Sequence, residues 1–281
     1  MSSTLQYLNS AAHPLALLGP YNHLGRGVFE TMLATFHPHK RRVHIFAWGR
    51  HLLRLREGAQ IIGVSCPVQE SILQTLSSAC RTFDWGSSPV AVLRITLLLA
   101  DWLLTLEPWS PSMDSCSGIC AVTLEMERAV PQVKSCSALP SVLAREFAKR
   151  ENAAEALLID RDGILREGAW SNFFWVDRRG TLITPKTRML QGITRASVLQ
   201  MAAHHFPVDL RDSSSSEITT NAAEAFITQS THGIVPVVSI DRKEIGSGSP
   251  GELTRLLGER YADHFRRQTS PDAAVIALDP V

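Results

Sequence analysis

Residues 155–198 constrain the fold more than any other stretch of this chain, beginning with 155–185. They run EALLID, RDG, ILREG, SNFFWVD, RRG and TLITP: short β-forming runs separated by Asp-Gly and Arg-Gly turn signals. Such runs pair as hairpins of an antiparallel sheet. Pro185 ends the last one because it has no N–H to give to a ladder. Past Leu190 the period changes, and Gly192-Ile193-Thr194 leads into RASVLQMAAHHF, whose apolar spacing suits a helix. A glycine followed by a helix start presents free N–H groups and the positive end of a dipole, which favours phosphate. One segment thus carries a carboxylate, Glu167, on a strand rim and an anion nest at Gly192, Ile193 and Thr194. A ligand with a basic nitrogen and a phosphate suits both. The plainer reading of Glu167 is an ordinary strand-edge carboxylate.

At 281 residues the chain can form one large or two modest domains. Its hydrophobic content of 44% and charged content of 20% are those of a soluble globular protein. The formal net charge of +1, with no basic stripe carrying interleaved aromatics, argues against a nucleic-acid surface. The one dense cationic run, HKRRVH (39–44), reads as a solvated turn. Cys66, Cys80, Cys116, Cys120 and Cys136 form neither a CxxC pair nor an even disulfide framework, and no histidine cluster has ligand spacing, so no metal is expected. The N-terminus lacks a basic region leading into a long apolar core, so no secretion signal is expected. The longest apolar run, VAVLRITLLLADWLLTL, is broken by Arg94 and Asp101 and reads as two buried strands rather than a membrane span. The expected compartment is the cytoplasm, with no membrane or nucleic-acid partner.

In chain order, GRGVFETMLATFHP gives a strand and RRVHIFAWGRHLLRLREGAQIIG a strand and an amphipathic helix. VQESILQTLSSACRTF gives a second helix, and AVLRITLLLA and DWLLTLEPW give strands. This β-α-α-β-β order suggests a small N-terminal α+β domain over 1–113. The Ser-, Pro- and Gly-rich WSPSMDSCSG points to a linker at 114–118, followed by a larger β-rich domain over 119–281. After the central stretch that domain is expected to hold a strand at VDLRDS, a polar bend at SSSSEIT and a helix-like start at NAAEA. Two strands around Ser230, Thr231 and Gly233 follow, then a helix from PGELTRLL and a loose tail, TSPDAAVIALDPV.

Only five of the 28 basic residues are lysines. Lys40, Lys149, Lys186 and Lys243 have polar, solvated neighbourhoods, whereas PQVKSCSALPSVLA surrounds Lys134 with small and apolar residues. A desolvated lysine has a lowered pKa and can act as a nucleophilic amine; the alternative is a strand-end lysine whose amine snorkels into water. Arg54, in RHLLRLREGA, offers a fork of donors to a phosphate or else a solvated helix face. Ser230 and Thr231 offer hydroxyl and backbone donors or an ordinary polar turn. His232 and the pair His204–His205 read as surface or packing residues.

Taken in order, GRGVFETM, RHLLRL, KSCSALPSVLAREFAKRENAAEALLIDRDGILREGAWSNFFWV, TLITP, MLQGITR, EAFITQSTHGIVPV and GSPGELTRLL resemble the class IV aminotransferases, across about residues 20–262. These are the fold-type IV pyridoxal-phosphate enzymes, which include branched-chain aminotransferases, D-amino acid aminotransferases and 4-amino-4-deoxychorismate lyases. The resemblance implies a two-domain α+β fold, a small N-terminal domain and a larger β-rich one with pyridoxal 5′-phosphate between them. It implies that Lys134 holds the cofactor as an internal aldimine and shuttles the α-proton, and that Glu167 pairs with the pyridine nitrogen. Arg54, Ile193, Thr194 and Ser230 become the phosphate-binding set, and Leu190 supports the ring. A homodimer is implied too. The implied activity is amino transfer between an amino acid or amine and a keto acid. A lyase releasing pyruvate and 4-aminobenzoate is the alternative, and a non-catalytic cofactor-binding relative the third. Three places depart from the pattern: Arg26 stands where relatives commonly have Asp, Ala169 and Trp170 replace small residues after Glu-Gly, and Leu97 stands where D-specific enzymes carry an arginine that grips the substrate carboxylate. Arg94, three positions back, falls on the opposite face of an ideal strand, so it is not expected simply to replace that arginine.

Overall fold

A computed structural model of the chain describes residues 5–8, 11–12, 26–86, 88–99, 101–110, 117–203, 205–267 and 272–278. Residues 114–116 of the expected linker, Cys116 and His204 lie outside these. The contacts divide the chain into two units. The first comprises Met1–Ser110, Val133–Ser137 and Phe265–Val281, and the second Pro111–Gln132 and Ala138–His264.

The first unit contains strands β1 (Leu5–Leu8), β2 (Ala11–Ala12), β3 (Gly27–His37) and β4 (Arg42–Ile45), then helices α1 (Trp48–Ile62) and α2 (Gln69–Thr82), then β5 (Val90–Leu98) and β6 (Trp102–Pro108). Helix α1 forms where apolar residues recur at helical spacing. It buries Trp48, His51, Leu52, Leu55, Gly58 and Ala59 and ends at Gly63, whose φ of 67° is the left-handed geometry that glycine adopts without a Cβ penalty. Gly58 lets α1 lie close to the sheet, since a Cβ there would stand 3.3 Å from Val28. The apolar run around Arg94 forms the antiparallel pair β5–β6, as expected, and no described helix is long and apolar enough to cross a membrane.

The second unit contains β7 (Ile119–Glu125), α3 (Leu139–Arg150), β8 (Glu155–Ile159), β9 (Leu165–Gly168), β10 (Asn172–Asp177), β11 (Leu182–Thr184), α4 (Ile193–Ala202), β12 (Val208–Leu210), α5 (Ser215–Asn221), β13 (Ala222–Gln229), β14 (Gly233–Ile240), β15 (Lys243–Glu244) and α6 (Glu252–Arg267) as far as His264. Its sheet runs β12-β11-β10-β13-β14-β7-β8-β9, with β15 beside β14. The hairpins expected over 155–184 are β8 to β11, turning at Gly163 and Gly180 with φ of 75° and 81°. Strand β10 is buried along nearly its whole length, with Phe173 and Trp175 on one core and Phe174 stacked on Phe226 at 4.9 Å.

Two expectations are corrected. SSSSEIT is not a bend but the start of α5, capped by the Ser214 hydroxyl accepting from Glu217 N–H at 3.1 Å, and NAAEA runs into strand β13. Nor is the C-terminal tail loose throughout: β16 (Ala274–Ala277) pairs antiparallel with β4, closing the first unit's sheet in the order β16-β4-β3-β5-β6-β1-β2. Residues 265–281 therefore group with the first unit and not with the expected C-terminal domain.

Candidate active site

In the first unit, the start of β3 carries chemistry on both of its faces. The Phe29 N–H donates to Lys134 O at 2.9 Å, Cys136 N–H donates to Gly27 O at 2.8 Å, and Val28 bridges Ser135. These bonds lay the Lys134 segment along β3. Gly27 is required there, because a Cβ would stand 2.6 Å from Leu97 O. The Lys134 amine sits 4.7 Å from the centroid of the Phe29 ring, and the Arg94 guanidinium carbon sits 5.2 Å from the same centroid. A ring face attracts both cations.

Strand register explains the pairing. Thr31 opposes Arg94 and Phe29 opposes Thr96, so Arg94 shares a face with Phe29; Leu97 opposes Val28 and is fully buried on the other face. The sheet thus turns Leu97 away from Lys134 and Arg94 toward it. Arg26 is used elsewhere: exposed, it donates to Ile62 O at 3.3 Å and Gly63 O at 3.1 Å, where α1 ends.

On the opposite face of β3, Glu30 is fully buried and takes Arg54 through two donors, Nε at 2.6 Å and Nη2 at 2.7 Å, and His51 Nδ1 at 2.7 Å. Burial alone would push the Glu30 carboxyl up, but Arg54 and His51 outweigh it and hold the group at about 2. Burial pushes the His51 imidazole below its ordinary value despite Glu30. Arg54 is therefore no freely solvated helix residue. Its fork is fixed by a carboxylate from another element, a pairing that no local pattern announces.

In the second unit, Glu167 is buried on β9. Arg128 donates to its Oε1 through Nε at 2.9 Å and Nη2 at 2.7 Å, and the Leu190 N–H donates to Oε2 at 3.0 Å. Asn172 Nδ2 donates to Leu190 O at 2.7 Å, so the Leu190 backbone, which bonds Glu167 directly through its N–H, is held through its carbonyl as well. Gly192 precedes α4 because a Cβ there would run into the Asn172 side-chain oxygen. No side chain caps α4 and no acid lies in its first turn. The Ile193 and Thr194 end of the helix therefore keeps the donor character expected of an anion nest.

Ser230 lies in the turn between β13 and β14. Tyr261, on α6, links that turn to α4: its hydroxyl lies 3.3 Å from Thr194 Oγ1, and its ring would stand 3.0 Å from a Cβ on Gly233. Thr231 Oγ1 is 2.9 Å from His232 Nδ1, and burial pushes the His232 pKa down. The residues that sequence reasoning missed are His51, Arg128 and Tyr261. Each acts through a partner distant in sequence, so no local signal marked it.

Within the second unit, a buried carboxylate and an uncapped helix start suit the ring nitrogen and the phosphate of a phosphorylated pyridine; within the first unit, a half-buried lysine suits an aldehyde.

Known proteins match this chain over most of its length. The family model described as Amino-transferase class IV matches residues 27–240. A D-alanine aminotransferase of Bacillus licheniformis is 35% identical over 234 residues, covering 75% of this chain and 80% of that protein. A branched-chain-amino-acid aminotransferase of Pseudomonas aeruginosa is 28% identical over 278 residues, covering 89% and 88%. Among solved structures, a T.th. branched-chain amino acid aminotransferase complexed with N-(5′-phosphopyridoxyl)-L-glutamate superposes with a TM-score of 0.83 at 23% identity, covering 95% of this chain and 96% of that one.

Proposed function

From the premise that this chain belongs to the class IV aminotransferase family and has its two-part α+β fold, we propose that it moves an amino group between an amino acid and a keto acid, using pyridoxal 5′-phosphate. The bound cofactor supplies a ring that accepts the electrons left behind when the substrate α-proton departs. Lys134 is assigned as the covalent anchor of that cofactor and, once displaced by substrate, as the base that carries the α-proton. Glu167 is assigned to the ring nitrogen, with Leu190 alongside the ring. The amides of Ile193 and Thr194, the Ser230 turn and the positive charge of Arg54, whose Nε and Nη2 are held by Glu30, are assigned to the phosphate. The relatives named above are aminotransferases, which does not favour the lyase reading.

The observation that carries the substrate assignment is the single ring shared by Lys134 and Arg94. Lys134 and Arg94 stand over the same ring, so an amino acid whose nitrogen took the place of the Lys134 amine would have a guanidinium nearby for its carboxylate. Arg94 is exposed and makes no ion pair among the described residues. We assign it to the substrate carboxylate, a role a guanidinium fork performs well. A homodimer is also proposed, with Leu139, Val142 and Leu143 on the first turns of α3 as exposed apolar surface that a second copy would cover.

The test is a panel of L- and D-amino acids and primary amines, added singly to the loaded protein while the visible absorbance of the bound cofactor is followed. A true donor removes that absorbance and leaves its keto acid. R94Q is expected to raise KM for amino acids about tenfold or more, the loss of one charge-assisted contact, with little change for primary amines that lack a carboxylate. A panel in which no donor changes the absorbance contradicts the proposed activity.

A further inference from the structure

Glu167 is held by more than its strand. Arg128, in the loop after β7, directs two donors at one carboxylate oxygen, and its Nη2 also reaches Pro131 O, which fastens the guanidinium to its own loop. The Leu190 N–H takes the other oxygen. The two side chains are 15% and 7% exposed. A charged pair this far from water gives little net stability compared with apolar side chains of similar size, so stability is a weak reason for its presence. Its geometric effect is definite: with a fork on Oε1 and an amide on Oε2, the carboxylate cannot rotate.

We propose that Arg128 is a positioning residue for the cofactor ring, fixing the plane of the Glu167 carboxylate and offsetting part of its charge where it meets the ring nitrogen. The proposal rests on the assignment of Glu167 to that nitrogen. Two separable consequences follow from the two properties of a guanidinium. The fork sets orientation, and a lysine, with the same charge but a single point of contact, cannot reproduce it. The charge weakens the pull of the carboxylate on a protonated ring, and only removal of the charge undoes that.

Pyridoxine 5′-phosphate has an alcohol where the cofactor has an aldehyde, so it reports non-covalent contacts without bonding to a lysine. Its dissociation constant and the pH at which its bound ring changes ultraviolet spectrum are measured on the full-length protein and on R128K, R128M and E167Q. R128K is expected to bind about tenfold more weakly with the spectral transition unmoved, because the fork is lost and the charge kept. R128M is expected to move the transition to higher pH. A purely structural arginine would lower the melting temperature without moving that transition. R128K and R128M proteins that match wild type in both readouts overturn the proposal, and R128K alone decides the orientation claim if R128M does not fold. Should E167Q also match wild type, the assignment of Glu167 to the ring nitrogen is what fails, and the role of Arg128 falls with it.

Discussion

Lys134 stands out among five lysines because its sequence neighbours are small and apolar, and the structure places its amine half-buried over the Phe29 ring. Arg54 and Glu167 are visible in the sequence as residue types in suggestive places. Their fixing is not: Glu30 reaches Arg54 across the α1–β3 contact, and Arg128 reaches Glu167 from another loop. Such pairs follow from tertiary packing, which leaves no spacing in the chain. Glu30 also makes the fold sensitive to acid. Its folded pKa, about 2, lies below its usual 4.5, so its stabilisation is complete above about pH 5 and is lost as pH falls toward 2. Burial pushes His51 below its usual 6.5, so as pH falls the unfolded chain takes up this proton before the folded one does; this too removes stability in acid. The Glu30 depression alone corresponds to about 3 kcal/mol at neutral pH. Urea denaturation of wild type and E30Q across pH 2 to 7 tests this. The variant is expected to lose roughly 3 kcal/mol or more at pH 7 and to converge on wild type toward about pH 2, whereas parallel curves would contradict the assignment.

At the scale of elements, β8 to β11 are legible because turn residues punctuate apolar runs, and α1 and α2 because their apolar residues recur three and four apart. The serine run misleads because a stretch of polar residues suggests a bend. Ser214 and Glu217 nonetheless stand at capping-box spacing, a local signal for the start of α5. The strand β16 is hidden by an end-of-chain position and by a partner, β4, on the far side of the sequence. One turn keeps a strain that can be relieved. Asp241 and Arg242 join β14 to β15 with φ of 51° and 64°, the geometry of a two-residue hairpin that favours glycine at its second position. Asp241 is needed, since its carboxylate accepts from Thr123 N–H and Oγ1, but Arg242 is exposed and pairs only at 3.4 Å with Glu151. R242G is expected to raise stability by up to about 1 kcal/mol, seen as a higher melting temperature. A lower one would show that the left-handed position is not strained.

For the molecule as a whole, the two-part α+β architecture can be anticipated from the order of its elements and from the family resemblance. The exchange of segments between the parts cannot. Residues 133–137, which carry Lys134, belong with the first unit although flanked by the second, because backbone bonds to Gly27 and Phe29 hold them there. The proposed roles accordingly draw Lys134, Arg54 and Arg94 from one unit and Glu167, Leu190, Ile193, Thr194 and Ser230 from the other. All of them depend on where the cofactor is attached. Reducing the loaded protein with borohydride, digesting it and locating the phosphopyridoxyl group by mass spectrometry tests that point directly: the group is expected on the peptide containing Lys134, whereas finding it on Lys40, Lys149, Lys186 or Lys243, or on no lysine at all, would contradict the account.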